Sequence, residues 1–235
     1  MKATTLEKLT ERHDLRDCTG VFADRDEAGR TLADMLRQDD LCDGVVLAVP
    51  AGGIPVGAAL ADVCGLPLEA VVVSKITLPW NPEAGYGAVA FDGSVVLNDD
   101  LVRRLGLGEA EVDRGIESTR RKVARRRQRL RGNRAMPDLA GAAVILVDDG
   151  LASGFTMRCA LEALGGRAVS RRIVAVPTAH EESLDRIADR ADALYCPNVR
   201  SGMPFAVADA YCRWYDVPED EAARLLAGRG TGGKA

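Results

Sequence analysis

Two acidic residues and a loop of small residues lie together in the middle of the chain. Asp148 and Asp149 directly follow the apolar run Val144–Val147, and the loop Gly150–Thr156 leads into a helical pattern. The N–H groups of such a loop and of a helix N-terminus can bind phosphate. Carboxylates accept hydrogen bonds from sugar hydroxyls or bind a hard cation. These residue types therefore fit a phosphorylated sugar with Mg²⁺, although the same letters also occur in an ordinary strand–loop–helix with an acidic cap.

Two other candidate groups also follow apolar runs. The segment Pro50–Gly53 comes after Val45–Val49, and its glycine pair allows the backbone to approach an anion closely. Lys75 comes shortly after the run Ala70–Val73. Taken alone, the first group is equally typical of a tight strand-to-helix turn, and the lysine is more typical of a solubilising charge.

Apolar runs alternate with helical patterns along the chain, which predicts an α/β fold with a parallel sheet covered on both faces. Ligands of such sheets bind in the crevice at the carboxyl ends of the strands. All three candidate groups follow predicted strands, so the pattern predicts that they form one site. The predicted strands are Val45–Val49, Ala70–Val73, Val144–Val147, Arg172–Val176 and Ala193–Cys196. The predicted helices begin after Asp24, near Ile54, after Asn98, at Glu109, at Met157 and at Glu181.

Length and composition predict a single globular domain. The chain has 235 residues, a net charge of −4 and 47% hydrophobic residues, without a continuous apolar run that could cross a bilayer. We expect one domain over residues 1–220 and a tail over 221–235. The start of the chain is polar and unlike a signal peptide, and the cysteines are scattered, which predicts buried thiols in a reducing cytoplasm. The cysteines are Cys18, Cys42, Cys64, Cys159, Cys196 and Cys212.

Two further segments have distinctive compositions. Leu78–Gly87 is rich in Pro and Gly and is predicted to be a loop, and Asp92-Gly93 is a typical hairpin turn between two short strands. The helix predicted over Glu109–Arg131 is densely basic from Arg120 onward. A solvated helix face is the favoured interpretation of that basic run, and a patch for phosphate or RNA is the alternative.

The segment Val144–Thr156 closely resembles the ribose-phosphate-binding signature of the type I phosphoribosyltransferases. The resemblance extends over about residues 22–215. Lys75–Ala90, Leu97-Asn98 and Phe205–Tyr211 are similar to a subgroup of bacterial and archaeal proteins of unassigned base. The resemblance implies a cytoplasmic, Mg²⁺-dependent enzyme, which is expected to be a homodimer. Such an enzyme joins a nitrogenous base to the ribose of phosphoribosyl pyrophosphate and releases pyrophosphate.

The resemblance also implies roles for individual residues. Asp148 and Asp149 would hold the ribose hydroxyls and the metal, Lys75 would balance the pyrophosphate charge, and residues 76–98 would form a flexible closing loop. A hood, mainly residues 197–215 with the N-terminal segment, would read the base. The 5′-phosphate loop would consist of Gly150, Leu151, Ala152, Ser153, Gly154, Phe155 and Thr156. The pyrophosphate loop would consist of Pro50, Ala51, Gly52 and Gly53. The base would contact Phe205, Ala206, Val207 and Asp209, with the Phe205 ring as a stacking platform.

Two positions depart from the family pattern. Ala51 stands where many relatives carry an arginine, which puts efficient turnover in question. Ala152 stands where enzymes for 6-oxopurines carry an aspartate, which argues against such a base. Ala51 and the basic run Arg120–Arg131 motivate an alternative function, a nucleotide-sensing regulator that binds RNA or another partner. His180 follows a predicted strand and could approach the site, but it is not assigned a catalytic role.

Overall fold

The computed structural model describes residues 1–229 except 38, 40 and 42. Its strands are β1 Leu9–Thr10, β2 Val45–Ala48, β3 Leu68–Ala70, β4 Val73–Leu78, β5 Asn81–Ala90, β6 Val95–Leu97, β7 Ala143–Val147, β8 Arg171–Ala175, β9 Thr178–His180, β10 Ala193–Tyr195 and β11 Asn198–Arg200. Its α-helices are α1 Ala3–Lys8, α2 Arg25–Leu36, α3 Gly53–Cys64, α4 Asp99–Leu105, α5 Glu109–Arg131, α6 Phe155–Ala163, α7 Glu181–Ile187 and α8 Glu219–Ala227. Cys42 and residues 230–235 of the predicted tail lie outside the described residues.

Six parallel strands form the central sheet in the order β1-β10-β8-β7-β2-β3. The central strands β7 and β2 are apolar and buried because helices cover both faces of the sheet. One buried cluster includes Leu146 with Met157 of α6, and the other includes Ile145 with Leu60 of α3. The predicted α/β fold with a parallel central sheet is therefore confirmed.

The hairpin region differs from the prediction. The apolar run Ala70–Val73 is the end of β3 and the start of β4, which belongs to a separate antiparallel sheet β4-β5-β6. Lys75 therefore lies in the middle of an antiparallel strand, and its assignment to the end of a parallel strand is wrong. Most of the predicted loop Leu78–Gly87 is strand β5, because its residues pair with β4 despite their Pro and Gly content. The predicted turn at Asp92-Gly93 is confirmed between β5 and β6.

The two ends of the chain come together near the carboxyl edge of the sheet. Phe22 pairs with Tyr211 through an isolated bridge, and a second small parallel sheet is formed by β9 and β11. The predicted boundary at residue 220 falls inside α8, whose Ala222 and Leu226 are buried. In the part of the chain that the structure describes, no helix is both long and apolar enough to cross a membrane. The expected homodimer and cytoplasmic location stay predictions.

Candidate functional site

The two acids lie at the carboxyl end of β7 in different environments. Asp149 accepts hydrogen bonds from Nε and Nη2 of Arg25 at 3.0 and 2.8 Å, both on Oδ2. Asp148 instead accepts the backbone N–H of Asp149 on Oδ1 at 2.9 Å. The Asp149 side chain is 16% exposed and that of Arg25 only 5%, so this is a buried ion pair. Arg25 thus fixes one carboxylate of the pair and not the other.

Burial and mutual repulsion affect the two carboxyl groups unequally. Burial raises the pKa of Asp148 well above its usual range, and the charge of Asp149 raises it further. Burial also raises the pKa of Asp149, but Arg25 opposes this shift. Asp148 is therefore the acid whose negative charge has less compensation from the protein.

The donor set is compatible with Mg²⁺. Among the described residues, no cluster of three or more His, Cys, Asp or Glu side chains forms a complete metal site. Mg²⁺ is commonly bound through one or two carboxylates together with substrate phosphates and water. Asp148 and Asp149 fit that arrangement, and they do not resemble an all-protein metal cage.

Sequence reasoning did not identify Arg25. Its guanidinium carbon lies 4.0 Å from the ring centroid of Trp214 and 5.5 Å from that of Tyr215, and Nη1 donates to the Tyr215 carbonyl at 2.9 Å. The hydroxyl of Tyr211 donates to the backbone carbonyl of Asp149 at 2.6 Å. The aromatic residues near the end of the chain therefore hold Arg25 against Asp149. These contacts join residues that are remote in the sequence, so no local spacing signals them.

The segment Pro50–Gly53 packs directly against the acids. A Cβ added at Gly52 would lie 1.9 Å from Oδ2 of Asp149, and one added at Gly53 would lie 2.8 Å from Cα of Asp148. Only glycine fits at these two positions, because the two acids occupy the space that a side chain would need. The predicted approach of this backbone to an anion stays a prediction. The Pro50–Ala51 peptide is cis. Ala51 is half-buried and packs against the apolar cluster of α3.

The loop Gly150–Thr156 is fixed through its carbonyl groups. Ser183 Oγ donates to the Ala152 carbonyl at 2.6 Å, and Arg186 donates to the Ser153 carbonyl. Gly154, with φ +75°, caps α6, whose first-turn N–H groups have no acceptor within the helix. Residues of α7 therefore hold two carbonyl groups of the loop, while the N–H of Leu151 donates to the Thr178 carbonyl at 2.9 Å.

Arg126 of α5 and Lys75 of β4 both lie close enough to Lys122 to act on its charge, and Arg126 also contacts Pro50. Nη1 of Arg126 donates to the Pro50 carbonyl at 3.5 Å, while Nε of Arg126 donates to Glu219 at 2.7 Å. Burial lowers the pKa of Lys122, and the nearby charges of Arg126 and Lys75 lower it further. Lys75 therefore lies near Lys122 from strand β4, and not at the end of a strand of the central sheet. Sequence reasoning favoured a solvated face for the helix segment that contains Lys122 and Arg126, with a patch for phosphate or RNA as the alternative.

The hood residues have different environments. Val207 lies against Gly150, since a Cβ on that glycine would be 2.6 Å from Cγ1 of Val207. The guanidinium carbon of Arg200 lies 4.8 Å from the Phe205 ring centroid, and Arg200 also donates to Ala206 and pairs with Asp209 at 3.3 Å. The structure thus brings Val207 to the phosphate loop, while Arg200 engages the other three residues.

His180 lies between this hood and α7. Its ring meets the Phe205 ring edge-on with centroids 5.7 Å apart, and Nδ1 accepts the N–H of Glu182 at 3.4 Å. Nε2 is buried without a hydrogen-bond partner among the described residues. A buried ring nitrogen of this kind commonly has a polar partner, so His180 is a stronger candidate for ligand contact than the sequence indicated.

The phosphoribosyl transferase domain family matches residues 91–211, about half of the chain. That stretch contains both acids, the loop Gly150–Thr156 and residues 197–211 of the hood. The chain belongs to the phosphoribosyl transferase family. The resemblance inferred from the sequence motifs is confirmed.

Two relatives of this phosphoribosyl transferase domain are similar over most of its length. A Mycobacterium tuberculosis H37Rv protein that bears the provisional name phosphoribosyl transferase is 34% identical over 206 residues, which are 88% of this chain and 46% of that protein. The chain thus spans about half the length of the curated relatives it matches. The crystal structure of TT1426 from Thermus thermophilus is 32% identical, with a TM-score of 0.72, over 89% of this chain and 99% of that chain.

Much of the basic run in this family member is paired internally. Arg126 and Arg129 bind acids of α8, Arg120 binds Glu117, and Arg131 lies 3.5 Å from Glu69. These pairs neutralise several of the charges that motivated an RNA-binding patch. The favoured interpretation was a solvated helix packed by a thin apolar stripe that includes Leu130, and Leu130 is buried. Most arginines of the run are exposed, and Arg131 is the buried exception.

Proposed function

We propose that this chain is a Mg²⁺-dependent phosphoribosyltransferase. It would transfer ribose 5-phosphate from phosphoribosyl pyrophosphate to a nitrogenous base and release pyrophosphate, in nucleobase salvage or related nucleotide metabolism. The observation that carries the proposal is the contact between the glycine pair of Pro50–Gly53 and the two acids after β7. That contact joins a candidate pyrophosphate loop to a candidate ribose site.

The proposed roles follow from this arrangement. Asp149, oriented by Arg25, would accept hydrogen bonds from the ribose hydroxyls, and the N–H groups of Gly150–Thr156 would bind the 5′-phosphate. The N–H groups of Ala51 and Gly52 would bind pyrophosphate, because Pro50 has no N–H and that of Gly53 donates to the Val49 carbonyl. Positive charge develops on the ribose as its bond to pyrophosphate breaks, and no nucleophilic side chain is required.

Cations near Pro50 would stabilise the charge on the departing pyrophosphate. Arg126 contacts the Pro50 carbonyl, and Lys122 and Lys75 are the further cations proposed to act there. Lys122 and Arg126 would supply the charge that an arginine at position 51 supplies in relatives. Asp148 and Asp149 would hold Mg²⁺, which supplies further charge neutralisation to pyrophosphate and ribose. The exposed tip of the β4–β5 hairpin, near Trp80, would close on the site and exclude water, while much of the predicted closing loop over residues 76–98 packs in the core.

The base is proposed to lie between the hood and the phosphate loop. Val207 at Gly150 and the buried His180 nitrogen beside Phe205 support this position. Ala152 argues against a 6-oxopurine, for the reason given above. Phe205 as a stacking platform and Asp209 as a base contact stay predictions.

Product detection tests the proposal. The full chain is incubated with phosphoribosyl pyrophosphate, Mg²⁺ and a panel of nucleobases, and release of pyrophosphate and formation of a nucleoside monophosphate are measured. We expect turnover with at least one base and its loss in Asp148→Asn. Arg121→Ala serves as the control. Arg121 is an exposed residue of α5 and has no assigned role in the site, so this variant should retain turnover.

Binding without turnover would favour the alternative function. If no base reacts while a nucleotide still binds, the chain acts as a nucleotide sensor and the transferase proposal fails. An RNA mobility shift that weakens with salt and is lost on neutralising Arg125 and Arg127 would support that regulator directly.

A further inference from the structure

A cationic cavity lies under the β5–β6 turn, separate from the candidate site. Its volume is about 220 Å³, and three arginines line it, Arg127 and Arg131 of α5 and Arg167 after α6. Phe91 and Asp92 of the turn complete its wall. The described lining includes none of the residues assigned above to the ribose, phosphate, pyrophosphate or base subsites.

Arg131 forms the fixed floor of this cavity. It is 5% exposed and donates to the backbone carbonyls of Ala70 and Ala135 at 3.2 and 2.7 Å. Its Nη2 lies 3.5 Å from a carboxylate oxygen of Glu69, and that oxygen is buried without a hydrogen bond among the described residues. Arg131 is therefore held in place by protein contacts and does not need a ligand for its position.

Arg127 and Arg167 are not neutralised in the same way. Within the described ranges, neither guanidinium forms an ion pair with a carboxylate or a side-chain hydrogen bond. The guanidinium carbon of Arg167 lies 5.6 Å from the Phe91 ring centroid. Asp92 is nearby, but its carboxylate accepts the N–H and hydroxyl of Ser94 at 2.9 and 2.7 Å and is turned into its own loop.

Three guanidinium groups around one small space repel each other. Burial lowers the pKa of Arg131, Glu69 opposes this shift, and the charges of Arg134, Arg127 and Arg167 lower the pKa further. Arg127 lies one helical turn from Arg131 and thus on the same face of α5. An oxyanion between them would offset this repulsion and form charge-assisted hydrogen bonds to the planar groups.

We propose that this cavity binds a small phosphate-class oxyanion, held by Arg127 and Arg167 above Arg131. Its volume is below the roughly 300 Å³ at which pockets for drug-sized ligands begin, so the ligand is a free phosphate or a single phosphate group of a small metabolite. The inference uses residues outside the candidate transferase site and does not depend on the proposed function.

Equilibrium dialysis with inorganic phosphate tests the site. The wild-type chain is compared with Arg127→Ala/Arg167→Ala and with the matched control Arg121→Ala/Arg125→Ala, which removes two exposed arginines of α5 that do not line the cavity. The first variant should bind one phosphate fewer per chain, or bind it at least about tenfold more weakly. The control should keep that phosphate. Thermal unfolding without phosphate establishes that each variant is folded.

Two further measurements separate the possible sources and roles. Glu69→Gln removes the charge beside Arg131 while keeping its shape, and it should tighten phosphate binding. Ribose 5-phosphate as a competing ligand distinguishes a free phosphate site from one that accepts a phosphorylated metabolite. Equal phosphate binding by the wild type and Arg127→Ala/Arg167→Ala would overturn the proposal, and so would an equal loss in both double variants.

Discussion

At the scale of single residues, the two neighbouring acids have unequal roles in stability. Sequence reasoning identified Asp148 and Asp149 as a pair because they are adjacent and follow a buried strand. It could not identify Arg25, which lies 124 residues away from Asp149 and is brought to it only by folding. Asp149 therefore has a structural role that the motif alone does not indicate.

Asp149→Ala should destabilise the protein, whereas Asp148→Ala should not. Removing Asp149 leaves the buried guanidinium of Arg25 without its partner, and breaking a buried ion pair costs about 3–5 kcal/mol. Removing Asp148 eliminates a buried carboxylate whose pKa is already raised, so its loss should be neutral or stabilising. Urea unfolding at pH 7 gives the two free energies.

The double variant Arg25→Met/Asp149→Ala provides the control for this comparison. It removes both partners, so it should recover part of the stability lost in Asp149→Ala. Equal stability of Asp149→Ala and the wild type would show that the Arg25 contact contributes nothing. Turnover should fall in every variant that lacks Asp149, including any that remain stable.

At the scale of elements, helix starts were predictable and strand partners were not. The start of α2 follows from Asp24, a typical cap with Glu27 three residues later. The partner of β4 did not follow from its sequence, because an apolar run that continues from β3 into β4 contains no sign of the change from a parallel to an antiparallel sheet. The prediction that Lys75 faces the site therefore depended on a strand assignment that is wrong.

Asp24→Ala should loosen the start of α2 and thus the position of Arg25, the first residue of that helix. The Asp24 carboxylate accepts the N–H groups of Asp26 and Glu27 at 3.0 and 3.1 Å. Loss of such a cap costs about 1 kcal/mol. Urea unfolding should show this loss near pH 7, together with weaker phosphoribosyl pyrophosphate binding by calorimetry.

The stability difference between Asp24→Ala and the wild type should depend on pH. The hydrogen bond from Glu27 lowers the pKa of Asp24 in the folded protein, and Arg213 lowers it further. A lowered carboxyl pKa contributes stability that is present above the unfolded pKa of about 3.9 and is lost as the pH falls through the folded value. The difference should therefore shrink below about pH 4. Arg213→Ala, which removes an exposed partner, should have a much smaller effect.

Helix α5 supplies a test of the cation group near Pro50. Lys122→Ala should weaken pyrophosphate and phosphoribosyl pyrophosphate binding by about tenfold, because one charge-assisted contact is lost. Binding of a nucleoside monophosphate should change little, since it lacks the pyrophosphate. Arg125→Ala removes an exposed charge from the same helix and serves as the matched control. Calorimetric titrations that show equal losses for both ligands would place Lys122 outside the pyrophosphate subsite.

At the scale of the whole molecule, the candidate site depends on segments from both ends of the chain. Arg25 near the N-terminus, Trp214 near the C-terminus and Asp149 in the middle form one packed unit. Local patterns predicted the central strands and the turn at Asp92-Gly93, since each depends on neighbouring residues. The phosphate-binding role of the loop Gly150–Thr156 stays a prediction. Contacts between remote segments, including those of α8 with α5, depend on the complete fold and were not predictable.

The last prediction concerns Glu219, which connects α8 to the candidate pyrophosphate loop through Arg126. Arg126 binds Glu219 at 2.7 Å and reaches the Pro50 carbonyl at 3.5 Å, so the carboxylate competes with a bound anion for the same guanidinium. Glu219→Gln should therefore tighten pyrophosphate binding, by roughly threefold to tenfold, which corresponds to about 0.7–1.4 kcal/mol. The cost in stability should stay below about 1 kcal/mol, because the pair is partly exposed. Calorimetry with pyrophosphate and urea unfolding measure the two effects.

Asp220→Asn is the matched control, because it removes an equal charge from the same turn of α8. In the wild type, Asp220 pairs with Arg129 and not with Arg126. If the two variants tighten pyrophosphate binding equally, the effect is a general change in electrostatic potential, and Glu219 has no specific connection to the site. If Glu219→Gln weakens binding, the carboxylate orients Arg126 and does not compete for it. If only Glu219→Gln binds pyrophosphate more tightly, then α8, which lies outside the central sheet, sets the affinity of the candidate pyrophosphate loop.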